Sequence, residues 1–201
     1  MIQKTWAAAA LILALGVLSI GCQSGGIGDP CIPEDEYQQY FSGYAVSEVN
    51  IESRSFQCET RLCLVNHFQG RVTCPYGQTA DDANATNDNE NFCHIPGYTG
   101  NGSRIKVAVN RQLQGRPATD SVYCSCRCGG PDKDARYCKC PTGFQCVELL
   151  NKIQQLGSPE LAGSYCVKDG TAYDKNKSSY GIPCPDPQPG ADPPCGSRTG
   201  Q

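Results

Sequence analysis

Basic charge is in short supply: 17 Lys and Arg stand against 20 Asp and Glu over 201 residues, a formal charge of −3. A nucleic-acid partner needs a basic stripe, and none is present. Trp6 and Met1 are the single Trp and the single Met, and both fall within the first six residues. Beyond residue 21 no run approaches the roughly 20 apolar residues that a membrane-spanning helix requires. Leu, Ile, Val and Phe are sparse there, while in the whole chain Gly numbers 22 and Pro 14. A conventional core is thin for such a length, so crosslinks are expected to carry much of the stability. Catalytic signatures are missing as well: no Gly-x-Ser-x-Gly elbow, no phosphate-cradling glycine loop and no His-Glu-x-x-His occur. Of the two histidines, His67 stands without a motif around it, and Cys93-His94 raises metal ligation but has no second Cys/His pair at finger-like spacing. These absences predict a protein that is not an enzyme and needs no cofactor.

What the chain has in excess is cysteine, 15 in all, without one Cys-x-x-Cys among them. How they are read depends on the N-terminus. Lys4 supplies one positive charge, and Ala7 to Ile20 is an apolar run of about 14 residues, the length of a signal-peptide core rather than a span. Ser19, Ile20 and Gly21 precede Cys22. This segment resembles a bacterial lipoprotein signal, although Ser19 stands where that family prefers Leu and Leu18 lies one step back. The resemblance implies removal of residues 1–21, lipidation of Cys22 and a membrane partner reached through the lipid. Gln23 stands where an Asp often retains such proteins in the inner membrane, so the likeness implies the outer membrane, on its periplasmic or surface face. Removing Cys22 leaves 14 cysteines, an even number, and export implies an oxidising compartment in which seven disulfides persist.

Residues 22–30 read as a short Gly-rich tether, 31–170 as one disulfide-knitted body and 171–201 as a Pro/Gly-rich, irregular tail. Tyr37, Tyr40, Phe41 and Tyr44 follow a helical spacing that favours packing against the body, with an aromatic recognition patch as the alternative. Strands are expected over 44–51, 62–68 and, most clearly, 104–109, where apolar and polar residues alternate. Six cysteines fall between Cys124 and Cys146. Two-residue alternation puts Cys124, Cys126 and Cys128 on one face, and Gly129-Gly130-Pro131-Asp132 signals a turn toward Cys138 and Cys140. The expected object is a cysteine hairpin over 121–146. Thr142 and Gln145 fit a capping box, and Cys146, Leu149, Leu150 and Ile153 share a helical face, which predicts a short helix over 143–156.

Disulfide bonding is the leading reading for Cys31, Cys58, Cys63, Cys74, Cys93, Cys124, Cys126, Cys128, Cys138, Cys140, Cys146, Cys166, Cys184 and Cys195. Alternate residues along one strand face are about 6.6 Å apart, so each hairpin cysteine is expected to reach a different partner. Cys184 and Cys195 bracket the Pro-rich loop and are expected to pair with each other. The alternative is a thiolate site for copper or zinc built from Cys124, Cys126, Cys128, Cys138 and Cys140. The polar stretch 81–91 reads as a solvated loop, with an irregular Ca²⁺ site as the lesser alternative, since Asn87 and Cys93 break the calcium-loop template that begins at Asp82. Cys138-Lys139-Cys140-Pro141-Thr142-Gly143-Phe144-Gln145-Cys146 is similar to the end of an EGF-like module. The chain as a whole resembles the cysteine-rich lipoproteins of bacterial envelopes. The reading that follows is a small, disulfide-rich, mainly β protein, non-enzymatic and lipid-anchored, with envelope proteins or glycans as candidate partners.

Overall fold

Strand β2 (Cys63–Asn66) is buried at all four positions and is the centre from which the architecture follows. The computed structural model describes residues 25–86, 92–150, 161–188, 190 and 194–196. β1 (Val49–Glu52) pairs antiparallel with one edge of β2 and β3 (Val122–Cys124) with the other, in the order β1-β2-β3. The register sets Cys63 opposite Cys124, Leu64 opposite Tyr123 and Val65 opposite Val122. Successive strand residues point to opposite faces, and here both faces are covered. Cys63 and Val65 pack with Cys31, Tyr44, Cys58, Phe68 and Cys124. Leu64 packs with Ile51 and Tyr123 against Leu150, Tyr165 and Val167 of a second sheet. A strand buried on both faces reads as a continuous apolar run, and Cys-Leu-Val is one.

The second sheet holds β4 (Arg127–Gly129), β5 (Phe144–Leu150) and β6 (Gly163–Lys168) in the order β4-β6-β5, all antiparallel neighbours. The fold is therefore small, mainly β and disulfide-rich: two three-stranded sheets packed face to face and, among the described residues, two one-turn helices, α1 (Ala80–Asn84) and α2 (Ala118–Ser121), with 3-10 turns such as Glu34–Tyr37.

Three sequence expectations are corrected. The cysteine run is not one arm of a hairpin. It crosses from the first sheet to the second at Ser125, which is fully buried, donates from Oγ to the Cys166 carbonyl (2.8 Å) and from its amide to the Leu62 carbonyl (3.0 Å). The ladder partner of β4 is β6, while residues 137–140 form no strand; the backbone bond from them to β4 is Cys138 N to Arg127 O, beside the Arg127 guanidinium over the Tyr137 ring. Pro141 has no amide to extend a ladder there. The helix expected over 143–156 is a strand over 144–150; residues 151–156 lie outside the described residues. Gly143 at φ +88° closes a turn in which Phe144 N donates to Pro141 O, and that left-handed residue breaks a capping box. β6 then offers Tyr165, Cys166 and Val167 as cross-strand partners to Val147, Cys146 and Gln145. Finally, residues 104–109 make isolated bridges instead of a strand, His94 with Arg104 and Gln78 with Val109. The buried Gln78 amide fills the place of a neighbouring strand, donating to Ile105 O (3.0 Å) and Val107 O (2.7 Å) and accepting from Cys93 N (3.0 Å).

Gln78 is one case of a wider device. Irregular backbone cannot satisfy itself when buried, and buried Glu36, Arg71, Gln112 and Arg116 serve it through their side chains. Arg71 donates to the carbonyls of Glu36, Gln38 (3.3 Å) and Phe41 (2.8 Å). The Glu36 carboxylate accepts from Val72 N, Thr73 N (3.1 Å) and Thr73 Oγ1 (2.7 Å). Burial pushes the Glu36 carboxyl above its ordinary value, against these hydrogen bonds and the Arg71 charge. A raised folded-state pKa means that the group's contribution to stability is full below about 4.5 and lost as pH climbs through the raised value. Compared with Glu36→Gln, which does not titrate, the parent protein should therefore lose relative stability as pH rises through that window. Denaturant midpoints of both proteins across pH, disulfides intact, check this; parallel curves would overturn it.

Residues 25–30, expected as a free spacer, are docked. Gly25 N donates to Gln57 O (2.7 Å), Glu59 N to Gly25 O (2.9 Å), Gly28 N to Cys124 O (2.8 Å) and Cys124 N to Asp29 O (2.8 Å). This segment therefore lines the free edge of β3. The beginning of the tail is likewise built in: Thr171, Tyr180 and Cys184 are buried, and Cys184 N donates to Gln112 O (2.8 Å).

Candidate functional site

The fourteen cysteines after Cys22 form seven disulfides: 31–63, 58–124, 74–93, 126–138, 128–146, 140–166 and 184–195. Cys124, Cys126 and Cys128 reach three different partners, and Cys184 pairs with Cys195. Cys22 and the signal segment lie outside the described residues. The bridges gather into sulfur layers. Cys31, Cys58 and Cys124 sit together on the first sheet; Cys126, Cys138 and Cys166 form a second group and Cys128, Cys140 and Cys146 a third. Sγ of Cys166 is 3.5 Å from that of Cys126 and 3.8 Å from that of Cys138. The five cysteines weighed for copper or zinc are thus near one another in part, but they are divided among four bridges. A metal takes the thiolate, and a bonded sulfur does not offer one.

The other sequence candidates are occupied locally. His67 Nδ1 lies 2.9 Å from Val46 O, and its ring stacks on Tyr173 at 4.1 Å between centroids. Burial first, and the Arg116 charge second, hold its pKa below the usual value, against the bond to Val46. His94 Nδ1 is 2.9 Å from Ser103 Oγ. Asp82 is spent on capping α1: its carboxylate accepts from Thr79 N (2.9 Å) and Thr79 Oγ1 (2.7 Å). Residues 87–91 of the polar loop lie outside the described residues.

The aromatic stripe divides. Tyr44 is buried beside Phe41, their rings 4.8 Å apart and edge to face, whereas Tyr37 and Tyr40 are 46% and 76% exposed. Tyr37 forms one wall of a groove of about 780 Å³ between the Glu34–Tyr37 turn, the end of β1 and the loop 53–61. Phe56, which is 82% exposed, also lines it. The Arg61 guanidinium lies 4.7 Å from the Phe56 ring centroid, and Arg61 itself adopts φ +61°. Gln57, in the same lining, is fastened to Ile32, its side chain accepting from Ile32 N (3.0 Å) and donating to Ile32 O (2.7 Å). Glu52 accepts from Glu34 N (3.1 Å), and burial raises its pKa, helped by the Glu34 and Asp35 charges.

Tyr98, 63% exposed, stands near enough to Tyr37 to raise its pKa together with burial and the Glu36 and Glu52 charges. The segment after Tyr98 is tied to Gln39 by Gln39 Nε2 to Gly102 O (2.6 Å) and Lys106 N to Gln39 O (2.8 Å). Exposed rings from three separate segments, 37–40, 56 and 98, are thereby brought to neighbouring surface. Rings of this kind offer contact area at low entropy cost. Phe56 and this groove were missed by the sequence reading. The signal available was a lone aromatic in Arg54-Ser55-Phe56-Gln57, a stretch with neither helical nor strand period.

No protein-family model, curated protein or solved structure matches this chain. Among the described residues, no helix is long and apolar enough to cross a membrane.

Proposed function

We propose that the chain is a non-enzymatic envelope lipoprotein, held at the membrane by a lipid on Cys22 and serving as a structural or interaction module for envelope proteins or glycans. The observation that carries this reading is parity. Of 15 cysteines, seven bridges use 14, and the one left over is Cys22, directly after a signal-like apolar run. A free exported thiol would be a liability, whereas a lipidated one is an anchor. The exposed rings of Tyr37, Tyr40 and Tyr98 supply the recognition surface in this reading.

The test is the intact mass of protein taken from its own membrane, alkylated before and after reduction. The expected result is no alkylation before reduction, 14 alkylations after it, and a lipid mass on the peptide beginning at Cys22. Reaction of Cys124, Cys126, Cys128, Cys138 and Cys140 before reduction, or a metal travelling with them, would replace this reading with metal handling. An unmodified Cys22 would remove the anchor.

A further inference from the structure

We infer that the Phe56–Arg61 surface is a membrane-contact surface, seating the body directly on the lipid headgroups; the inference rests on the lipid anchor proposed above. The chain leaves little slack between the anchor and the body. Cys22 is three residues from Gly25, a reach of at most about 11 Å. Gly25 is already fixed to the body on both sides, through Gln57 O and Glu59 N. Phe56 is the chain neighbour of Gln57, so the most exposed aromatic of the described residues stands beside the point where a lipid on Cys22 would enter. The Gly28–Asp29 bonds to Cys124, and the approach of the Phe144 ring to Gly28, hold that entry point rigidly.

The chemistry of the surface suits a bilayer interface. A phenylalanine ring buries at the headgroup/acyl boundary, and arginine pairs with phosphate while its stem covers apolar surface. Phe56 and Arg61 form such a unit, ring and guanidinium in contact, with Arg54 beside them in the groove wall. Of the two acidic residues of the groove, Glu52 is engaged locally, its carboxylate accepting from Glu34 N (3.1 Å).

The sequence provides a clean probe, because Trp6 is the only Trp and is lost with the signal. Phe56→Trp places one fluorophore at the proposed contact. Ile182→Trp places another on an exposed residue near the other end of β2, the strand that Arg61 and His67 flank. Ile182 O is bound by Gln114 N, close to Arg116, which grips His67. Each full-length variant, purified lipidated, is reconstituted into phosphatidylethanolamine–phosphatidylglycerol vesicles containing brominated phosphatidylcholine. The expected result is blue-shifted emission quenched by more than half for Phe56→Trp, and unshifted, unquenched emission for Ile182→Trp. Equal emission from both variants, in protein that carries lipid and floats with the vesicles, overturns this inference and leaves the anchor standing. Protein without lipid that fails to float overturns both.

Discussion

Replacing Cys58 and Cys124 together by alanine should cost about 4 kcal/mol of unfolding free energy, the largest loss among the seven bridges. The two residues are 66 apart in sequence, the longest separation closed by any disulfide described. Cys74–Cys93, with a separation of 19, already shortens that loop, yet the logarithmic dependence on length leaves the figure near 4 kcal/mol. The bridge does more than close a loop. It joins the segment bonded to Gly25 with β3, and its sulfurs fill the layer under Val65 and Val122. Alanine removes the bond without leaving an unpaired polar group in that layer. The comparison variant is Cys184→Ala/Cys195→Ala, which opens a separation of 11 for about 3 kcal/mol by the same relation. Guanidinium unfolding of both variants under non-reducing conditions checks the order. Equal losses would mean that loop closure is not what the long bridge contributes.

The parts of the fold that sequence made legible are those where pairing and patterning coincide. β2 lies inside the run expected over 62–68, and β1 begins near the end of 44–51. The different partners of Cys124, Cys126 and Cys128 followed from strand spacing alone. What stayed hidden depended on partners far along the chain. The run 122–129 alternates throughout, so nothing local marks Ser125 as the place where one sheet ends and another begins; the mark is its bond to Cys166, 41 residues away. The apolar positions of 144–150 satisfy a helix and a strand alike, and β6 decides. The alternation of 104–109 was genuine, since Ile105 and Val109 are buried, but a glutamine side chain took the place of a strand.

The candidate site was less legible for a related reason. Composition shows that tyrosines are available; it does not show which are covered. Tyr37 and Tyr44 share a helical spacing, yet the turn at Glu34–Tyr37 is a single 3-10 turn, and the chain then extends, so one ring points out and the other in. Residues 25–30 are Gly-rich, as spacers are, but Gly28 at φ +98° is there because the Phe144 ring lies where a Cβ would be. Composition alone does not separate a flexible glycine from a closely packed one.

Arg116→Met should destabilise the protein by about 3 kcal/mol and free the beginning of the tail. The guanidinium is buried and donates to three carbonyls: His67 (Nε, 3.1 Å), Thr171 and Asn66. It also lies 5.4 Å from the Tyr180 ring centroid and 6.0 Å from that of Tyr173, which stacks between His67 and Tyr180. One side chain thus joins the end of β2 to residues 171–180. Methionine keeps much of the volume but leaves those carbonyls without their donor, each at a cost of about 1–3 kcal/mol if water cannot reach it. The losses do not add fully, because the freed tail admits water. Two readouts separate this from a general loss of packing. Exchange of the Cys184 and Gln114 amides, bonded to Gln112 O and Ile182 O, should accelerate far more than that of the β2 amides. The His67 imidazole should titrate at higher pH, because the Arg116 charge is one of the causes that depress it. Arg116→Lys keeps the charge but not the planar fork, so it should hold His67 near its parent value while recovering only part of the stability. If the methionine variant loosens both sheets evenly, Arg116 is packing and not the clasp of the tail.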